Sequence, residues 1–541
     1  MPDVVHGTER RPLVPGRLLF DEAAELAVVV PASCRQTGRC HECVVEIRAG
    51  SDQLRRPTPE ESFLRPGFRL ACRATIERAD RDVEFSVLRR RLRIQLAPEM
   101  AEAPADIDPG VVVADGRYRR DDGEDLGPSF GDPVGMALDL GTTTVVLELV
   151  DLATGHLLAV AAFENAQRFG GSDVMTRISY EDDQPGELRQ AMRRALNHEL
   201  RRLQGALGID RRRIVEAVVV GNPTMRDLAF DLDVRPIGRI PYRSVTEAAL
   251  LAGEATTTIV ERRAHELGVL MHPRGRVTGG PLVASHVGAD AAADLVAVEA
   301  VARGGSFLLV DIGTNTEIIA SDGARILAAS SPAGPAFEGG GVRYGMPGAD
   351  GAIEAARYDL PTGRFEVRTI GGGQPEGICG SGLVDLLAEM RRAAILTPRG
   401  GFTDRSPEIA VVAEPRITLT RGDVGHLAVA KGATAVGQRV LLRRLGLAPG
   451  ELDHVYLAGG FANALDVSSA VDIGLLVPVR PERVVRAGNA SIAGARALLL
   501  SRRRLAALDA LVRRIEHVEL EAEPDFFDLF TDGCLFEPIG A

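Results

Sequence analysis

Two segments of this chain share one form. MALDLGTTTVVLELVDLATGHLLAV begins at Met136, and LLVDIGTNTEIIASDGARILAAS begins at Leu308. Each reads as strand, tight turn, strand, turn, strand, and each sets an aspartate, Asp139 or Asp311, at the end of an apolar strand with Gly-Thr after it. A single Asp-x-Gly-Thr is weak evidence, because a Gly-Thr turn closes many hairpins. Two copies 172 residues apart, each opening a region of mixed strands and helices, point to a duplicated architecture of two lobes. The turn glycine lets backbone approach a phosphate, threonine hydroxyls and amide N–H groups donate to its oxygens, and the carboxylate holds the hydration shell of a Mg²⁺ ion. Two such hairpins facing each other would clamp the phosphates of a nucleotide.

Each copy is followed by material that suits one lobe. After the first come a helical stretch around Glu187 to Leu203 and the apolar strand of IVEAVVVGNPTM, whose Gly221 and Asn222 fall at the expected cleft. After the second come SPAGPAFEGGGVRYGMPG, GICGSGLVDLL, a helix from Asp423, and VYLAGGFAN. The last is an apolar strand opening into Gly459 and Gly460, a turn that admits a flat ring or a phosphate close to the backbone and that also serves as a plain strand-to-helix turn.

The six cysteines are unevenly placed: Cys34, Cys40, Cys43 and Cys72 lie near the start, while Cys379 and Cys534 stand alone far downstream and read as small apolar residues. CRQTGRCHEC has C-x5-C-x2-C spacing between the strand-like LAVVV and VVEI, and RLACRATI supplies a distant fourth thiol. Plant-type [2Fe-2S] proteins use a closely similar spacing. A short loop must wrap the cluster so that three thiolates and several amides converge on it, which favours small or polar residues such as Thr37 and Gly38. A structural zinc site is the competing reading, but it usually takes its ligands as two close pairs, and Cys72 has no close partner in sequence. His41 lies inside the loop and reads as a surface residue beside four available thiols.

With 541 residues the chain is too long for one core. Its 45% hydrophobic and 26% charged residues are those of an ordinary globular protein. A net charge of -12 argues against nucleic acid, which calls for a basic surplus. Apolar runs such as Leu26 to Pro31 fall far short of the ~20 residues of a membrane span. The opening MPDVVHGTERRPLVPG has no apolar signal core, so a cytoplasmic location is expected. The division expected is a cluster domain over 1–96, a Pro-, Ala- and acid-rich linker with one strand over 97–133, a first lobe over 134–304 and a second over 305–541. Such a linker would let the cluster domain move.

In DLGTTT, DIGTNT and LAGGF, taken in that order, residues 134–541 resemble the superfamily of acetate and sugar kinases, heat-shock chaperones and actin. Joined to an N-terminal [2Fe-2S] domain, and with GNPTM, GICGSG, the VGAD ending at Asp290 and the closing stretch from Glu519 to Pro538, the chain is similar over almost its whole length to ATP-dependent reductive activators of corrinoid proteins. The resemblance implies an α/β multidomain fold: a ferredoxin-like β-grasp domain, then a two-lobed ribonuclease-H-like (actin-like) ATPase. It implies Asp139, Gly141, Thr142 and Thr143 on one side of the ATP phosphates and Asp311, Gly313, Thr314 and Asn315 on the other. Gly459 and Gly460 would lie near adenosine, and Gly339 and Gly340 count among the nucleotide-binding glycines. Lys431, the one lysine of the chain, sits on the helix before that turn, where contact with adenosine or ribose and plain helix surface are equally good readings. Arg226 departs from the pattern, since histidine is expected after GNPTM.

The function implied is return of a corrinoid protein from Co(II) to Co(I) by one electron from the cluster, driven by ATP and Mg²⁺, with Asp139 and Asp311 positioning the metal and the attacking water. The partners implied are a corrinoid protein and an upstream electron donor, with a homodimer among the arrangements open to the chain. Three other readings stay open: a small-molecule kinase with a regulatory cluster, an electron donor to another low-potential enzyme, and a nucleotide-binding module without turnover.

Overall fold

The computed structural model describes residues 2–7, 9–88 and 107–540. The first domain is a five-stranded sheet in the order Glu9–Pro12, Asp3–His6, Val83–Val87, Val44–Ala49, Phe68–Leu70, with the helix Leu19–Glu25 beside it. Strands from opposite ends of the domain lie side by side and parallel, Val4 registering with Val83. The mixed order closes both ends of the domain into one sheet, and the cysteine loop leads into its interior strand Val44–Ala49.

Part of the expected linker, 97–106, lies outside the described residues. The rest is not a linker with one strand but a three-stranded antiparallel sheet: Val111–Ala114, Arg117–Arg120 and Asp125–Pro128. Asp115 and Gly116, with φ of 53° and 67°, make the two-residue turn that the right-handed strand twist prefers. The sheet buries Val111, Tyr118 and Leu126 in a core shared with Val146 and Val218 of the first lobe and Leu499 of the second. Backbone also crosses this seam, the Asp108 amide donating to the Leu500 carbonyl at 2.8 Å.

The duplicated segments form matching lobes. In the first, the sheet runs Leu157–Glu164, Thr144–Asp151, Val134–Leu140, Ile214–Val220, Arg276–Gly279, Val260–Arg263. In the second it runs Val484–Gly488, His454–Ala458, Phe307–Ile312, Thr316–Ser321, Ile326–Ser331, Ile515–His517. In both, the aspartate-bearing strand pairs antiparallel with its own hairpin partner and parallel with a later strand. Asp139 registers with Val220 and Asp311 with Ala458, so each carboxyl lies beside the turn that ends its parallel neighbour, Gly221-Asn222 or Gly459-Gly460. Ligands of open α/β sheets bind off such carboxyl ends.

The lobes meet through two Ala-rich helices, Ala289–Ala297 and Ala490–Leu500. They approach so closely that a Cβ at Gly494 would stand 2.1 Å from the Ala293 carbonyl oxygen. Among the described residues no helix is long and apolar enough to cross a membrane.

Candidate functional site: a phosphate cleft and a four-cysteine loop

The turns Gly141–Thr143 and Gly313–Asn315 face each other across one cleft that also takes in Asp139, Asp311, Gly459 and Gly460. Their hydroxyls touch: Thr143 Oγ1 lies 3.0 Å from Thr314 Oγ1, and both donate to the Glu338 carboxylate. Asn222, at the end of its strand, donates to Thr142 Oγ1 at 2.8 Å. Glycine is required at two of these turns. A Cβ at Gly141 would lie 2.5 Å from the Thr144 carbonyl oxygen, and Gly459, at φ +110°, would drive one to 2.3 Å from that of Ile312. Gly460 has nothing within 4 Å of its would-be Cβ.

The floor of the cleft is acidic. Asp139 and Asp311 are joined by Asp290, Asp294, Glu317 and Glu338, and among the described residues none of the six is in an ion pair within 4.0 Å. Burial, then the charges of Asp290 and Asp311, hold Asp139 well above the ordinary carboxylate range. Burial and then Asp290 push Asp311 up to about 7, and burial takes Asp290 to about 6. Glu317 rises for the same reasons, and Asp294 by burial and then Asp311. Asp294 lies within hydrogen-bonding reach of Asp311, an approach two carboxyls tolerate only with a shared proton or a cation. Such a donor set fits Mg²⁺, which keeps several waters and takes one or two carboxylates plus substrate phosphates.

Sequence reasoning brought the two aspartates and six turn residues to this cleft. It named Asp290 only within a resemblance and missed Asp294, Glu317, Glu338 and also Asn489, which lines the cleft and hydrogen-bonds Asp139. Asp294 follows Asp290 by one helical turn, and Glu317 follows the repeat's last threonine, so spacing held a signal for both. Gly339 and Gly340 instead line an adjoining, larger hollow between the cluster domain and both lobes. Lys431 is not at the cleft. It is 1% exposed, its amine donating to the carbonyls of Gly533 and Gly474 and standing 5.7 Å from the Phe536 ring, where it ties its helix to the chain's last helix. Arg226 is fully buried, paired with Asp227 at 2.6 Å and donating to the carbonyls of Thr258 and Gly280. It braces the strand end from behind and does not enter the cleft.

At the other site the loop Cys34–Cys43 is wound through left-handed backbone at Arg35, Gln36, Gly38 and His41. The winding aims amides at sulfur: those of Arg39 and Cys40 donate to Cys34, and that of Gly38 to Cys72. Cys43 Sγ is 3.3 Å from Cys72 Sγ. Against the upward push of burial, the Thr37 hydroxyl and these amides bring the Cys34 thiol down to about 6. The hydrogen bond from Cys43 lowers Cys72 to about 7. The same contact, and then burial, push the Cys43 thiol up; four thiols so crowded, with inward amides, suit a [2Fe-2S] cluster. His41 is half-buried: it stacks on Phe63 at 3.9 Å and meets Glu187 of the first lobe at 3.0 Å.

Residues 5–77 match the 2Fe-2S iron-sulfur cluster binding domain, residues 134–302 the RACo middle region, and residues 306–539 the C-terminal domain of RACo, the ASKHA domain. A 2Fe-2S domain joined to an ASKHA domain defines an iron–sulfur, ATP-binding protein. Corrinoid activation enzyme RamQ of Eubacterium limosum is 30% identical over 429 residues, covering 74% of this chain and 70% of RamQ. The [Co(II) methylated amine-specific corrinoid protein] reductase of Methanosarcina barkeri is 24% identical over 432 residues, covering 73% and 76%. A solved reductive activator for corrinoid, iron-sulfur protein superposes with a TM-score of 0.72 at 27% identity, covering 99% of both chains. The chain belongs to the RACo family of reductive activators of corrinoid proteins.

Proposed function

We infer that this protein uses ATP to return a corrinoid protein from Co(II) to Co(I), passing one electron from its [2Fe-2S] cluster. The observation that carries the reading is the meeting of both Gly-Thr turns over an acidic floor, beside a lobe that also seats the four-cysteine domain.

The amides and hydroxyls of Gly141, Thr142, Thr143, Gly313, Thr314 and Asn315, which line the cleft, would hold the phosphates of ATP, and Gly459-Gly460 would leave room for the nucleoside beside the second lobe. Asp139 and Asp311 would orient the attacking water and hold the hydration shell of Mg²⁺, with Asp290 and Asp294 behind them. Mg²⁺ would supply neutralisation of phosphate charge there. Glu338 shares the hydroxyls of Thr143 and Thr314, so a phosphate taking those donors must displace a carboxylate that bridges the two lobes. Hydrolysis and lobe movement are thereby joined.

Cys34, Cys40, Cys43 and Cys72 would hold the [2Fe-2S] cluster, which supplies one-electron transfer at low potential. Co(II) reduction is a still harder step. Binding one oxidation state of the partner tenfold more tightly shifts a one-electron potential by about 59 mV, so differential binding by the lobes can close the gap. The same reading takes an upstream electron donor, a cytoplasmic setting and a homodimer as its working assumptions. It takes 1–96, 134–304 and 305–541 as the units that move.

Anaerobic, reduced protein mixed with a Co(II) corrinoid protein should develop Co(I) absorbance only with Mg-ATP. Cys72→Ser should abolish that signal and the cluster's visible bands while ATP hydrolysis persists. ATP-independent reduction, or none with any of several corrinoid partners, would sink the reading.

A further inference from the structure

Two short elements of the first lobe each have one end on the first phosphate turn and the other on the cluster domain. The 3₁₀ segment Ala166–Gly170 is capped by Asn165, whose side-chain amide donates to the Gly141 carbonyl at 2.8 Å and whose backbone N–H donates to the Thr143 carbonyl at 2.7 Å. Three and four residues on, Arg168 pairs with Glu46 of the cluster domain at 3.0 Å and Phe169 meets Phe63 edge-on with ring centres 5.6 Å apart. The helix Val174–Asp183 repeats the arrangement. Arg177 donates to the Thr142 carbonyl at 2.6 Å, and one turn further Tyr180 donates through its hydroxyl to the Phe63 carbonyl at 2.6 Å. Phe63 in turn carries the stacked ring of His41, the residue next to Cys40.

Neither element has slack. Arg177 is 1% exposed, with its other donors on the Gly171 carbonyl, Gln167 and Met225 Sδ. Phe63, Phe169 and Tyr180 are 5%, 2% and 3% exposed and belong to one apolar core that runs unbroken from the cluster domain into the first lobe. Close-packed interiors transmit displacement and do not absorb it. The Thr142 carbonyl is fixed to Arg177, while the hydroxyl of the same residue faces the cleft, so a rotation of that peptide is felt by the helix. Among the described residues Arg177 has no carboxylate partner within 4.0 Å, so its hold on the Thr142 carbonyl does not compete with an ion pair.

We propose that Arg177 and Asn165 are positioning residues through which occupation of the first phosphate turn resets the seat of the cluster domain at Phe63. The helix Val174–Asp183 and the segment Ala166–Gly170 are the two levers. This rests on the reading of the cleft as the ATP site and adds to it the route by which ATP reaches the cluster loop. Linkage makes the effect reciprocal: a cluster domain seated differently changes ATP affinity by the same factor.

The test is amide hydrogen exchange on full-length, cluster-loaded protein with and without Mg-ATP, alongside titration calorimetry of Mg-ATP. In the wild type, exchange at 59–65 and 176–180 should change at least threefold on Mg-ATP binding. Tyr180→Phe keeps the ring and its packing but removes the donor to Phe63. It should bind Mg-ATP within twofold of wild type and lose about half the response at 59–65, while keeping that at Thr142–Thr144. Arg168→Met should halve the response through the second lever. A wild type that binds Mg-ATP without any change at 59–65, or a Tyr180→Phe that keeps the full change, overturns the coupling and leaves the site reading standing. A wild type that binds no Mg-ATP overturns both.

Discussion

Replacing Asp311 by asparagine should make the protein more stable and less active, and the stability gain should depend on pH. In the folded chain burial and the neighbouring Asp290 hold Asp311 at about 7, against an ordinary 3.8. A raised carboxyl keeps its proton in the native state while the unfolded chain has lost it. Native stability is therefore full below the ordinary value and falls as pH rises towards 7, staying low above it. The difference corresponds to roughly 4 kcal/mol at 1.36 kcal/mol per pH decade. Water reaching the open side of the cleft screens it, and about 2 kcal/mol is the part expected to survive.

A neutral amide at this position carries no such penalty, so thermal melts without nucleotide at pH 7.5 should favour Asp311→Asn by about 4–8 °C for a lobe of this size. At pH 5.5 the gap should shrink by about half, because wild-type Asp311 is then mostly protonated. Mg-ATP should raise the wild-type melting temperature and leave that of the variant almost unmoved, and ATP turnover should fall at least ~100-fold. A variant less stable than wild type at pH 7.5, or a gap that ignores pH, would refute the account of an acidic floor held together against its own charge.

Lys431→Met should cost about 1–3 kcal/mol, from the unsatisfied carbonyls of Gly533 and Gly474, with Mg-ATP affinity unchanged within twofold; a tenfold loss of affinity by calorimetry would return Lys431 to the nucleotide. Arg226→Met should cost about 3–5 kcal/mol in denaturant melts by leaving Asp227 charged and buried, and Arg226→Met with Asp227→Asn should recover much of it; equal losses in both variants would exclude the ion pair as the cause.

On the proposed function, the groups that repel one another in the resting chain are those a divalent cation and its phosphates would relieve. Stability given up at Asp139, Asp290 and Asp311 returns when the ligand arrives, a common trade at functional sites. The hydroxyl bridge through Glu338 joins the lobes by protein contacts that a bound phosphate would have to replace.

Much of this was legible in the chain. The duplicated Asp-x-Gly-Thr segments gave two lobes because strand, turn and strand are local matters of alternation and glycine placement, and the cysteine spacing gave the cluster loop because three of its four ligands fall within ten residues. The Asp-Gly turn at Asp115 also announced a hairpin, overlooked because the flanking segment is polar and its three short strands bury few side chains of their own. What no local pattern could decide was position in space. Asp294 and Glu338 join Asp311 only when helix, loop and strand from distant parts of the chain converge, and burial there raises carboxyls that sequence alone would leave ordinary. Lys431 could not be placed because a helix offers both a cleft face and a core face, and only packing against the last helix chose the second. The seat of the cluster domain on the first lobe is wholly tertiary: His41 and Glu187 are 146 residues apart, and their meeting follows from two apolar surfaces that bury each other rather than from anything written beside either residue.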